Sequence, residues 1–343
     1  MKRAQLKYDK QPVPAALAEQ LRQWSADAET QGALTAGQLA IIYDQRWFKL
    51  FVPRNLGGLQ LPLPEGVRLE EELARIDGSL GWTVTLCAGA NLFVGYMDRS
   101  VGETIFSDRR VCLGGSGQAT GKAVDTDGGY VVSGKWRYAT GAPHLTHFTA
   151  NCETKQGVQS FFFAQADVRI IEDWNAFGLK ATASHSFEVD HLMVDRFQAF
   201  SIAPEAATWD DPIYRYPFLP FAEATLAANT LGMTRHFLEC AATLAAPGIS
   251  TLVQTAQRKV MDARTSFYDA LDTSWELLLR DGELPPEVLG SVSQASRTLV
   301  KISRELVVAV YPHVGMVGAD ASSEMNRVWR DIFTASQHSL LRQ

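Results

Sequence analysis

The chain has 343 residues, of which 46% are hydrophobic and 20% charged, with 26 glycines and 14 prolines. This composition excludes disorder, collagen and low-complexity solenoids, and the length suggests about two to three domains with a core that needs no cross-links. A net charge of −6 with no Lys/Arg run excludes a nucleic-acid backbone binder.

Cys87, Cys112, Cys152 and Cys240 lie far apart with no C-x-x-C. That spacing removes zinc-knuckle and thioredoxin motifs and reads as a reduced, cytoplasmic chain. Met1 to Pro14 is polar with two prolines and reads as no signal peptide. Residues 12–108 read as helical. Apolar positions at Leu17, Leu21 and Trp24 predict a first helix over Ala15 to Ala28, and Thr35 caps the next, through Leu39 and Ile42. Pro53 to Gly58 is a loop, and Pro64 opens a helix carrying Glu70, Glu71 and Glu72. Leu80 to Met97 is uncharged, but Thr83, Thr85 and Asn91 make it a buried helix of a soluble bundle and not a membrane span.

The period changes over residues 111–200. Asp127-Gly128-Gly129 and Lys155-Gln156-Gly157 are turns between short β-rich runs, which predicts a small barrel or sandwich. Helices return at Phe221 to Ala242 and Thr251 to Leu279. Val292, Ala295, Leu299, Ile302, Leu306 and Ala309 then form a seam, and a last helix covers Asn326 to Leu341. Strands grouped in one block exclude a doubly wound sheet. The fold class is α+β, mostly α, with domains 1–110, 111–205 and 206–343. His144 and His147, near Cys152 and Glu153, read as strand-edge histidines, so no metal is expected. Gly114-Gly115-Ser116-Gly117 looks like a phosphate loop but does not precede a helix.

Five segments in order resemble the acyl-CoA dehydrogenase superfamily over nearly the whole chain. They are Val52 to Gly58, Asp77 to Trp82, Gly128 to Gly141, Trp174 to Val194 with Gly178 to Ser184, and Arg327 to Ile332. The resemblance implies an N-terminal helical domain, a middle β-barrel-like domain and a C-terminal four-helix bundle. It also implies FAD or FMN between the last two, and a homo-oligomer, tetramer or dimer. Tyr138-Ala139-Thr140-Gly141 and Arg330 to His338 resemble the flavin-dependent monooxygenase branch, which uses reduced flavin and oxygen. That branch implies a small aromatic substrate, a separate flavin reductase, and no nucleic acid or membrane.

The resemblance marks Tyr138, Ala139, Thr140, Gly141, Trp174, Ser184 and Ser116 as flavin contacts, His338 as the catalytic acid–base, and Asn91 as a substrate contact. Imidazole titrates near neutrality and suits proton management; a short hydroxyl beside a glycine suits a ring edge. Arg330 and Asp331 are read as a structural ion pair. Two alternatives stand: an acyl-CoA dehydrogenase with its base relocated to Glu223, and a degenerate flavin binder without turnover. Ala222 occupies the place of the bundle base, and one residue turns a helix by about 100°, so Glu223 should face elsewhere. The short connection over residues 245–251 lacks an arginine that the family uses to reach FAD, with Arg258 as a possible substitute.

Overall fold

The computed structural model describes residues 13–244 and 248–342. Six helices come first: α1 (Ala15–Gln23), α2 (Ser25–Gln31), α3 (Ala36–Asp44), α4 (Leu63–Ile76), α5 (Gly78–Asn91) and α6 (Arg99–Phe106). The predicted first helix breaks at Trp24 without Gly or Pro, where the indole lies over Gly37 and packing decides the direction. Thr35 caps α3 in a reciprocal box with Gln38. Asp77 caps α5, accepting from the Leu80 N–H at 2.7 Å. The uncharged stretch is α5 followed by a 3₁₀ segment, Leu92–Tyr96, and it is buried almost all round.

The strands follow as β1 (Leu113–Thr126), β2 (Gly129–Ala139), β3 (His147–Thr154), β4 (Gly157–Ala164), β5 (Arg169–Ile171), β6 (His185–Val194) and β7 (Ala199–Phe200). They form one seven-stranded mixed sheet in the order β5-β6-β2-β1-β3-β4-β7, with β1 and β3 parallel. Trp136 stacks on Phe187 at 5.1 Å, and Phe148 meets the same ring at 4.8 Å, building an aromatic core. The β1–β2 ladder runs from Thr126↔Gly129 to Lys122↔Ser133 and stops there. The start of β1 pairs with β3 alone, with a register shift between Ser116 and Gly121. Gly114 to Gly117 therefore lie inside a strand, on a stretch whose other side is free of ladder bonds.

Six further helices complete the chain: α7 (Pro212–Arg215), α8 (Phe218–Ala242), α9 (Ile249–Asp281), α10 (Pro286–Val310), α11 (Met316–Ala319) and α12 (Glu324–Ala335). The buried stripe of α10 runs through Val292, Ser296, Leu299, Ser303 and Val307, so Ala295 and Ile302 sit at its margin and Ala309 is exposed. A serine can occupy the seam because its hydroxyl folds back on the helix, as Ser296 Oγ does to Val292 O at 2.8 Å. The last helix ends at Ala335, short of the predicted Leu341.

Glu71 ties α4 to α8 and α9. It is 1% exposed and accepts from Arg235, Arg264 and the Tyr268 hydroxyl. Arg330 and Asp331 do not pair with each other. Arg330 bonds Glu29, Asn326 and Phe177 O, while Asp331 accepts the Leu179 N–H. Successive residues on a helix point about 100° apart, so the two side chains serve different neighbours. Residues 245–247 of the 245–251 connection lie outside the described residues. No helix among the described residues is long and apolar enough to cross a membrane.

Candidate active site

Helix α5, the free start of β1, the N-terminal turns of α8 and the segment after α12 surround a cavity of about 200 Å³. Each contributes for a local reason. On α5, Gly89 and Ala90 leave room where larger side chains would fill it, and Thr85 and Leu86 complete that wall. On β1, Gly114 to Gly117 bring bare backbone to the cavity edge. On α8, Phe218, Phe221, Ala222 and Thr225 recur at helical spacing and face it. Phe93 and Phe200 close the apolar end, with Phe93 5.5 Å from Phe200 and 5.4 Å from Phe218. An apolar cavity of about 150 Å³ accepts benzene, so this one suits one or two aromatic rings.

Among the described residues, His338 is the one titratable side chain on the cavity wall, and no Asp, Glu, Lys or Arg lines it. It sits in the turn after α12, where its N–H bonds Ala335 O at 3.0 Å. Its Nδ1 lies 3.4 Å from the Leu340 N, at the long end for a hydrogen bond. Trp82 meets the imidazole edge-on at 6.0 Å. Burial, with a smaller push from Arg342, holds the His338 pKa below 6.5, so the ring is neutral at pH 7.

Thr140 lines the cavity opposite. Its hydroxyl is 2.9 Å from Ser184 Oγ, which is 2.7 Å from Thr182 Oγ1; Thr182 donates on to Leu179 O at 2.8 Å. This chain of hydroxyls fixes the Thr140 rotamer without any charge. Gly141 has φ +79, and its N–H bonds Thr182 O at 2.8 Å, locking the turn after β2 to the 3₁₀ turn Lys180–Thr182. Ser116 also lines the cavity.

Other predicted contacts lie elsewhere. Ala139 is buried in register with His185. Tyr138 is 50% exposed on the outer side, with φ +69, and its ring stands edge-on to Trp174 at 6.2 Å. Trp174 Nε1 donates to Leu179 O, which ties that aromatic pair to the Thr182 turn. Asn91 does not reach the cavity. It is fully buried, its amide donates to Cys87 O at 2.8 Å, and its carbonyl accepts from the Leu113 N–H. Glu223 faces away, as the helix angle predicts: it is 3% exposed and accepts from Arg297 at 2.6 Å, while Ala222 faces the cavity.

The sequence reading missed two groups. One is the apolar wall of Phe93, Phe200, Phe218 and Phe221, which no motif marks. The other lies behind Thr140 and Gly141, where Cys87, Cys112 and His144 converge. Burial raises the Cys87 pKa, but hydrogen bonds from Cys112 and His144 outweigh it and bring the thiol down to about 6. A wider depression of about 820 Å³ on the N-terminal helices, lined by Tyr43, Arg46, Lys49, Arg109 and Arg110, contains none of the predicted site residues.

The donor set tests the fit of a flavin. A free strand edge of glycines, two neutral hydroxyls at Ser116 and Thr140, and a glycine turn suit a flat ring with a polar edge and an apolar body.

Residues 221–343 match the family "Acyl-CoA dehydrogenase, C-terminal domain". The chain is 22% identical to indole-3-acetate monooxygenase of Pseudomonas putida, covering 86% of this chain and 80% of that protein. It is 24% identical to the "FADH(2)-dependent resorcinol hydroxylase, oxygenase component" of Rhizobium sp., covering 94% and 88%. The crystal structure of the HsaA monooxygenase from M. tuberculosis superposes with a TM-score of 0.90 at 21% identity, over 95% of this chain and 91% of that one. The C-terminal third of the chain thus matches an acyl-CoA dehydrogenase domain family, and the chain as a whole shares the fold of the HsaA monooxygenase.

Proposed function

We propose that the protein is the oxygenase component of a two-component flavin-dependent monooxygenase acting on a small aromatic substrate. The observation that carries this reading is the cavity wall: aromatic and apolar, with one neutral imidazole and no carboxylate. A dehydrogenase of this fold needs a carboxylate base in the cavity, and Glu223 is held by Arg297 instead.

The cofactor in this reading is FAD, with FMN as the lesser fit, delivered reduced by a separate reductase. Bound reduced flavin supplies the electrons and activates oxygen. Thr140, with Ser184 and Thr182 behind it, offers its hydroxyl to the ring edge, and Ser116, Ala139 and Gly141 provide close backbone. Tyr138 and Trp174 shield the outer side. Asn91 has no substrate role in this proposal, because both ends of its amide are used inside the fold. His338 faces the cavity, where its neutral ring takes up the proton released as a substrate hydroxyl ionises. The phenylalanines exclude water from the reacting centre.

The three segments 1–110, 111–205 and 206–343 act as domains in this proposal, and the working form is an oligomer of two or four chains. Four unpaired thiols among the described residues fit a reducing, cytoplasmic setting.

The test supplies chemically reduced FAD and isotopic oxygen gas to the protein with indole-3-acetate and resorcinol as probes. One labelled oxygen atom in a product supports the reading. Bleaching of oxidised flavin by acyl-CoA thioesters would make it a dehydrogenase. Flavin binding with neither reaction, across a wider panel of phenols and indoles, would leave a binder without turnover.

A further inference from the structure

We propose that Cys87, Cys112 and His144 form a site for one soft transition-metal ion, Zn²⁺ or Cu⁺. The three residues come from different elements: Cys87 from the third turn of α5, Cys112 from the residue before β1, and His144 from the 3₁₀ turn Ala142–His144. Their ligand atoms all lie within 4.8 Å of one another. Zn–S bonds of about 2.3 Å and Zn–N bonds of about 2.0–2.1 Å place the donors of a tetrahedral site within about 4 Å of each other. Closing the cluster around an ion therefore needs only a sub-ångström contraction.

The groups lack better partners. His144 Nε2 is buried with no oxygen or nitrogen bonded to it. It lies over Gly141, where a Cβ would stand 2.6 Å from Nε2 and 3.3 Å from Cys87 Sγ. The imidazole is held in place by stacking on Phe48, at 5.3 Å and 14°. Cys87 and Cys112 are fully buried, and their sulfurs reach carbonyls only at 3.8 Å (Thr140 O) and 3.9 Å (Leu113 O). A preset, desolvated set of two thiols and one imidazole is a soft donor set, which selects Zn²⁺ or Cu⁺ over Mg²⁺ or Ca²⁺. No carboxylate belongs to the cluster. Binding would release the two thiol protons, so Zn²⁺ and two thiolates leave no net charge buried. Thr140 O, 3.8 Å from Cys87 Sγ, would serve as the fourth donor to a tetrahedral ion. The ion would join α5, the start of β1 and the turn that carries Thr140 and Gly141. This assignment does not depend on the reaction.

The experiment grows cells in minimal medium supplemented with Zn²⁺ or Co²⁺ and measures metal content of the purified full chain by mass spectrometry. The expected result is one ion per chain, with a thiolate-to-cobalt charge-transfer band in the Co²⁺ form. Cys112→Ser and His144→Ala should lower the content at least tenfold, whereas Cys152→Ser and Cys240→Ser should keep it. The Cys240 variant separates this site from His236, Cys240 and Glu324, the other cluster with ligand spacing among the described residues. Stripping the ion with a strong chelator should lower the wild-type Tm. Folded wild-type protein holding less than about a tenth of an equivalent would overturn the proposal, even if the variants fail to fold. A native Cys87–Cys112 disulfide would overturn it as well.

Discussion

His338 is the residue on which the proposed chemistry turns, and its environment gives the sign of its pH dependence. Burial lowers its pKa below 6.5, so the neutral ring predominates above that pH. We expect kcat/KM to be flat near neutrality and to fall on an acid limb below pH 6.5. His338→Ala should lose that limb and lose roughly 10²-fold or more in kcat, the usual scale for a positioned acid–base group. A variant with wild-type kcat and an unchanged pH profile would remove His338 from the mechanism. Glu70 makes a second prediction. It is fully buried, and neither carboxyl oxygen has a hydrogen-bond partner. Burial raises its pKa well above 4.5, and the Thr85 hydroxyl, near but outside hydrogen-bond geometry, offsets only part of that rise. The folded state then keeps a proton that the unfolded state loses, so this contribution is full below about pH 4.5 and is lost as pH rises through the folded pKa. Glu70→Gln removes the titration, so its Tm relative to wild type should climb from pH 5 to pH 9; a constant offset would contradict a protonated Glu70. At this scale the sequence was partly legible. Thr140 and Ser116, singled out from their motifs, both line the cavity, because their local motif is also their local structure. Asn91 was misplaced because α5 is buried all round, and a helix without a polar face does not show which side faces a cavity.

Between elements, close approach and one buried charge cluster set the geometry that the site inherits. A Cβ on Gly232 of α8 would stand 2.1 Å from Glu71 O and 2.8 Å from Arg75 N, so α4 and α8 touch backbone to backbone there. Gly232→Ala should force them apart and cost about 1–3 kcal/mol in denaturant unfolding. The same melts should show an effect on flavin or substrate capture, because α8 carries Phe221, Ala222 and Thr225 on the cavity wall. Glu71 is the second tie. Removing its carboxylate takes away the acceptor that Arg235 of α8 and Arg264 of α9 share. Glu71→Ala should cost about 3 kcal/mol, the low end for a broken buried pair, because both guanidiniums keep about a quarter of their surface in water. A loss below about 1 kcal/mol would show that the arginines' other interactions, such as Arg235 with Glu72 at 4.0 Å, hold the helices without Glu71. Element order and type were legible because apolar period and turn chemistry are local. Two features were not. The seam of α10 passes through Ser296 and Ser303, since depth selects small residues there rather than apolar ones. The cluster of Cys87, Cys112 and His144 has no signature because its members are far apart in sequence and meet only after α5 docks on β1.

For the whole molecule, the question is whether the flavin resides or visits. A permanently held dinucleotide usually has its phosphates on a helix N-terminus or on arginine and lysine. The cavity wall offers neutral groups only: hydroxyls, glycine backbone, aromatic rings and one imidazole. Such a wall holds a ring but gives little to a pyrophosphate from within one chain. Two consequences follow for the proposed two-component enzyme. The protein should purify without flavin colour and should bind reduced FAD only when it is supplied, with turnover dependent on a separate reductase or on chemical reduction. Light scattering should also give the mass of two or four chains, with a neighbouring copy supplying phosphate contacts that the cavity wall lacks. The decisive measurement titrates FAD and FMN, oxidised and anaerobically reduced, at concentrations spanning the oligomer transition. Reduced-flavin affinity that weakens at least tenfold as the oligomer dissociates would place the phosphate contacts across the interface. Tight, yellow, dilution-resistant FAD in a monomer would show that a single chain holds the whole cofactor and would sink the two-component reading.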